Sequence, residues 1–320
     1  MWCASAIFVL GSCVDPPNPT SDGTYVLNAN GWSRISTDSP SWPAGGCSEM
    51  VMAPKQRGLM YMHIATGVPP DVNETYLYAS RWSGTSWSPD EVIAPLPADA
   101  SGCDAVFDPA SGRMFLLISE QSSSSVTDSH MFEYDGTSLV ESPAVIPQTG
   151  LISNVSLTYD SKLQSVVLVT IAPSPTGATG EGAPSAALWR WSDSGWVSIP
   201  DSTTPISPSG TDPWRVVYDV GSDTLVLFGN RETLTWNGKW TLQSESSLDR
   251  NGVDPTNAMH ATYDPSLNAI VIMSVDRVLW TWTGSGWGVL VPAPGNVPLT
   301  GDIAYDTARM ELLALATQLY

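Results

Sequence analysis

The stretch Val217-Tyr218-Asp219…Val226-Leu227-Phe228-Gly229-Asn230…Thr235-Trp236-Asn237-Gly238-Lys239-Trp240 holds the plan of the whole chain. An apolar run ends in an aromatic residue and Asp, whose short side chain bonds the backbone ahead of it and opens a turn. A second apolar, β-branched run follows, then an aromatic strand, a Gly-containing turn and Trp. Asn-Gly supplies the positive φ that a two-residue hairpin turn demands. The stretch therefore predicts consecutive short antiparallel strands joined by tight turns.

Outward from it, both anchors recur. Aromatic-Asp returns as Phe107-Asp108-Pro109, Tyr159-Asp160, Tyr263-Asp264-Pro265 and Tyr305-Asp306, with Met52-Ala53-Pro54 as a degenerate copy. The strand-turn-Trp anchor returns at Tyr78…Gly84…Trp87, Phe132…Gly136…Leu139, Trp189…Gly195-Trp196, Trp280…Gly286-Trp287 and Tyr25…Gly31-Trp32. The chain opens with the second anchor alone (24–36) and closes on the first alone (299–318), with five complete pairs between. The two half-units sum to a sixth. A ring of repeats closed by its two chain ends has this signature. The sequence thus predicts an all-β, six-bladed β-propeller spanning 24–320, closed by N-terminal strands pairing with C-terminal strands.

Composition agrees. Thirteen Lys+Arg stand against 32 Asp+Glu, a net charge of −19, which repels phosphate backbones and excludes a nucleic-acid partner. Only 14% of residues are charged, while Gly and Pro contribute 26 each and Trp 14, a balance foreign to helical bundles.

The alternating Tyr-Asp…Val-Leu-Phe-Gly and Trp-x-Trp-x-Gly-x-x-Trp blocks resemble bacterial kelch-type repeats, as in galactose-oxidase-like propellers, from residue 24 onward. The kelch double glycine survives only as Gly229-Asn230. The copper set of galactose-oxidase-like proteins, a Tyr, His and Cys, does not map onto this chain.

Residues 2–11 are apolar and end before Cys13, and a Pro-rich polar stretch follows. This segment resembles a bacterial lipoprotein signal, with 1–23 as signal and tether. That resemblance implies cleavage before Cys13, lipidation of its thiol, and export to the outer surface, the periplasm or the medium. The alternative is a buried N-terminal strand. With Cys3 removed, Cys47 and Cys103 remain, either as one disulfide or as two buried thiols.

Chemistry is sparse. The three histidines (His63, His130, His260) form no nucleophile arrangement, and phosphate-loop, zinc-protease and EF-hand motifs are missing. One constellation rises above background. Four residues before each first anchor stand Glu49, Asp104, Ser156, Arg215, His260 and Asp302. Those positions belong on the innermost strands, facing or flanking the central channel. They predict either a binding site for a cation or polar ligand, or a solvated channel mouth. No dedicated cofactor is implied. The second-to-third strand connections at 65–75, 119–129 and 172–187 are long, whereas those at 229–233 and 274–277 are short. Trp42 and Trp214 stand near strand entries, for sugar stacking or interior packing. The expectation is a non-enzymatic, surface-tethered propeller binding a protein or glycan partner through its loop face. Its alternatives are a sugar-active or metal-dependent enzyme and a structural subunit.

Overall fold

The computed structural model describes residues 23–28, 31–36, 48–52, 58–66, 74–120, 129–147, 155–172, 184–193, 195–206, 214–245, 258–274, 278–290 and 302–316. Their strands form six sheets of four or five strands. Blade 1 is β3 (Ser48–Met52), β4 (Leu59–Thr66), β5 (Thr75–Arg81) and β6 (Glu91–Leu96). Blade 2 is β7 (Ala100–Asp108), β8 (Arg113–Glu120), β9 (Ser129–Tyr134) and β10 (Leu139–Glu141). Blade 3 is β11 (Val155–Asp160), β12 (Ser165–Ala172), β13 (Ser185–Ser192) and β14 (Gly195–Ser198), with the short β15 (Thr204–Pro205) added to β13. Blade 4 is β16 (Arg215–Asp219), β17 (Thr224–Gly229), β18 (Glu232–Trp236) and β19 (Trp240–Glu245). Blade 5 is β20 (Ala258–Asp264), β21 (Ala269–Ser274), β22 (Leu279–Trp282) and β23 (Trp287–Val289).

Blade 6 closes the ring. Its sheet runs β2 (Gly31–Ser36), β1 (Gly23–Asn28), β25 (Glu311–Ala316), β24 (Ile303–Asp306), with β1 antiparallel to β25 from Gly23↔Ala316 to Leu27↔Leu312. The innermost strands touch in succession, β3–β7–β11–β16–β20–β24 and back to β3. The expected six-bladed propeller, closed by its chain ends, is the observed fold.

The second strand of each blade is mostly apolar because both its faces are buried. Successive side chains of a strand point to opposite faces. Phe115 and Leu117 therefore pack against blade 3, while Met114, Leu116 and Ile118 pack against blade 1. Val226 and Phe228 likewise face blade 5, and Leu225 and Leu227 face blade 3. Each of the six blade junctions holds one such cluster.

The anchor aspartates act as expected. Asp108, Asp160, Asp219, Asp264 and Asp306 are buried, and each accepts the amide N–H two residues ahead, at 2.8–3.0 Å. The fourth residue after each of them takes a positive φ: Gly112, Gln164, Asp223, Asn268 and Met310. Four of these five are not Gly, so composition does not announce the position.

The outer hairpins depart from expectation. Asn237-Gly238 is not a two-residue turn: Trp236 pairs with Trp240 across three residues, and only Gly238 has positive φ. The two-residue connection with both φ positive is Asn230-Arg231, between β17 and β18. Gly229 precedes it because a Cβ there would meet the Trp214 ring at 2.7 Å. Trp214 is only 1% exposed, so of its two expected roles interior packing is the observed one. Trp42 lies outside the described residues. The tryptophans flanking the outer turns pair across the strands, with ring centroids 5.1–5.4 Å apart at Trp82–Trp87, Trp191–Trp196, Trp236–Trp240 and Trp282–Trp287.

Candidate functional site

All six ring residues occupy equivalent places on or just before the innermost strands. Glu49, Asp104, Ser156, Arg215 and His260 pair with Met62, Leu117, Val169, Phe228 and Met273, and the Asp302 carbonyl accepts the N–H of Leu315. Phe228 and Met273 are each one residue from the end of their strands. The ring therefore lies at the end of the propeller that carries the second-to-third strand connections.

Three of the six ring residues are buried. Asp104, Ser156 and Asp302 are 8%, 3% and 1% exposed. Their side chains do not point into open water; they reach sideways to the next blade. Asp104 Oδ2 accepts the N–H of Leu157 (2.8 Å), Ser156 Oγ that of Val216 (3.2 Å), and Asp302 Oδ2 that of Met50. In each case the donor is the residue after the next ring position. Short acceptors at this position thus tie inner strand to inner strand. Thr158 Oγ1 adds a second tie by accepting the N–H of Tyr218 at 3.2 Å.

The other three ring residues, Glu49, Arg215 and His260, are longer and partly exposed. His260 Nδ1 lies 2.8 Å from Asp302 Oδ1 and 3.9 Å from Glu49 Oε2. Burial pushes the Glu49 carboxyl well above the usual carboxylate range; the charges of Asp302 and Asp104 add to this and Arg215 opposes it. Burial also raises Asp104, against the Arg215 guanidinium and the hydrogen bonds that Asp104 accepts. Such an arrangement can hold a cation or bind a polar group through carboxylate and imidazole.

Two further clusters escaped the sequence reading. His63, 4% exposed on β4, has Nε2 3.3 Å from Asp90 Oδ2, and Ser80 Oγ donates to the same carboxylate. His130 stands between Glu120 (3.1 Å) and Glu141 (2.6 Å). Both join residues from different strands, so only the strand register reveals them. Cys103 is buried on β7 in the cluster between blades 1 and 2. Cys13 and Cys47 lie outside the described residues, as does the whole of 1–22. Among the described residues no helix is long and apolar enough to cross a membrane.

No protein-family model and no curated protein matches the chain. Solved structures do. A protein of unknown function from Dyadobacter fermentans aligns at 11% identity over 93% of this chain and 99% of its own, with a TM-score of 0.54. One of unknown function from Bacteroides thetaiotaomicron aligns at 10% identity over 92% and 76%, with a TM-score of 0.51. At this identity the likeness establishes the fold and nothing finer.

Proposed function

We propose that the protein is a non-enzymatic recognition scaffold that binds a protein or glycan partner through the face bearing the polar ring. The observation that carries this reading is the asymmetry of the second-to-third strand connections. Eight residues separate β4 from β5, eight separate β8 from β9, and twelve separate β12 from β13, against two in blade 4 and four in blade 5. A rigid scaffold with long connections on one face is where recognition usually resides. Half the ring residues are committed to tying blades together, which argues for a platform rather than a reaction centre.

The proposal extends to location: an exported chain, tethered by lipid at Cys13. Cys47 immediately precedes β3, and β3 neighbours β7, which carries Cys103. A Cys47–Cys103 disulfide would then link the first two blades. Non-reducing peptide mapping should recover the linked peptide; two thiols that alkylate freely in the unreduced protein would refute it.

The binding reading is tested by replacing 121–128 and 173–184 with two-residue turns and screening both proteins on a glycan array and an outer-surface protein panel. Wild type should bind a saturable partner that the shortened protein loses while melting within a few degrees of wild type. Turnover of a sugar substrate by both proteins, with no partner for either, would overturn it.

A further inference from the structure

We infer that Glu49, His260 and Asp302 form a three-ligand site for a single divalent transition-metal ion of the zinc class. This goes beyond the partner-binding reading and does not depend on it. The three residues come from blades 1, 5 and 6 and meet because the ring closes between blades 6 and 1. One ligand atom from each lies within 4.8 Å of the others.

The geometry is that of co-ligands rather than of a hydrogen-bonded pair. His260 Nδ1 is sealed from solvent and makes no hydrogen bond, although Asp302 Oδ1 is 2.8 Å away. The two atoms sit side by side, as two ligands of one ion do. Ligands about 2.1 Å from a common ion stand about 3.0 Å apart at a right angle and about 3.4 Å apart at the tetrahedral angle. The separations of 2.8 Å and 3.9 Å from His260 Nδ1 straddle those values.

The carboxylate of Asp302 is already aimed, since Oδ1 accepts the N–H of Ile303 (2.7 Å) and Oδ2 that of Met50. Outer hydrogen bonds of this kind orient ligands and raise affinity. Charge points the same way. When ionised, the carboxylates of Glu49, Asp104 and Asp302 outnumber the one guanidinium set against Glu49 and Asp104, that of Arg215, which leaves the cluster two positive charges short. A dication supplies them, and buried charge without compensation is costly. The imidazole selects the ion: magnesium and calcium take oxygen sets, whereas nitrogen with carboxylate suits zinc and its neighbours. Three protein ligands leave a coordination position open, as in zinc sites that carry a water or a ligand. The His130 cluster differs, because both of its ring nitrogens already face carboxylates.

The test uses the full chain, stripped with chelator and dialysed, then titrated with ZnCl2 by calorimetry and with CoCl2 by visible absorption. We expect one equivalent of zinc per chain, a higher melting temperature and cobalt ligand-field bands. His260→Ala and Glu49→Gln each remove a ligand and should weaken zinc binding by at least the roughly 10–100-fold that losing an outer-shell partner costs. His130→Ala should leave it unchanged. The inference is overturned if wild type binds no stoichiometric zinc, or if His260→Ala binds as tightly as wild type. Should either variant fail to fold, the cobalt spectrum of wild type decides: no ligand-field bands at one equivalent would sink the site.

Discussion

Blades 4 and 6 are built from the same parts in a different chain order. In blade 4 the strands β16 to β19 follow one another, and the central pair, β17 and β18, is joined by Asn230-Arg231. In blade 6 the central pair is β25 and β1, the two ends of the described chain, held by a ladder of five residue pairs and no turn. Packing makes no such distinction. Leu313 and Leu315 are as buried as Leu227 and Phe228; the first two fill the junction of blades 6 and 1, while Leu227 faces blade 3 and Phe228 blade 5. A covalent turn can therefore be exchanged for a strand ladder without loosening the core, provided the ladder has apolar neighbours on both sides. What changes is sensitivity: blade 6 depends on residues that lie far apart in sequence.

The largest effect should follow from breaking that ladder. Deleting residues 1–40 removes β1 and β2, strips β25 of one of its two partners and exposes Leu313, Leu315 and an unpaired strand edge. We expect loss of the cooperative melt and of near-ultraviolet dichroism, with aggregation. A truncated protein that melts like the full chain would show that blade 6 does not close the ring.

Smaller, but sharper, is the inner tie. Asp104→Ala leaves the buried N–H of Leu157 without its acceptor and should cost about 1–3 kcal/mol. Asp104→Asn keeps an acceptor oxygen and should recover much of that loss. Chemical denaturation of the three proteins measures it. Equal stability of all three would mean that Asp104 is not a tie between blades 2 and 3.

The outer tie should be weaker. The indole N–H of Trp87 in blade 1 donates to Thr24 Oγ1 in blade 6 (2.8 Å), and that of Trp287 in blade 5 donates to Thr233 Oγ1 in blade 4 (2.8 Å). Phe in place of either Trp keeps an aromatic ring but removes the donor, at about 0.5–1.5 kcal/mol. The two substitutions should cost the same. A much larger loss for Trp87→Phe would show that the closing junction leans on this bond more than the others do.

The fold was legible because its signals are local and repeated. Each aromatic-Asp corner bonds its own turn, and each Trp pair spans one hairpin, so six in-order copies fix the blades and the half-units at the ends fix the closure. The ring positions were legible for the same reason, since they stand at a constant offset from the anchor. Their use was not. That Asp104, Ser156 and Asp302 reach sideways to a backbone amide, while Glu49 and His260 gather around Asp302, depends on spacing between inner strands that no single repeat encodes. The outer turns misled the reading because Asn-Gly fits several loop lengths, and the register at Trp236↔Trp240 chose the three-residue one.

The last contrast concerns a pair that blade 1 possesses and blade 4 lacks. In blade 1 the ring of His63 is stacked on Tyr78 (5.3 Å between centroids) and lies against Asp90. Burial pushes the Asp90 carboxyl up, but His63 and the hydroxyl of Ser80 outweigh it and hold the group below its ordinary value of 3.8. A carboxyl with a depressed folded pKa stabilises the fold fully above its unfolded pKa, and that contribution fades as pH falls through the folded value. Asp90→Asn should therefore melt below wild type at about pH 5, given an unfolded carboxyl near 3.9. Under more acid conditions the two melting curves should converge. The carboxylate is partly exposed, so the margin is expected to be the smallest of the four and to shrink further in high salt. A margin that persists unchanged at pH 3 would mean that Asp90 acts through packing rather than through its charge.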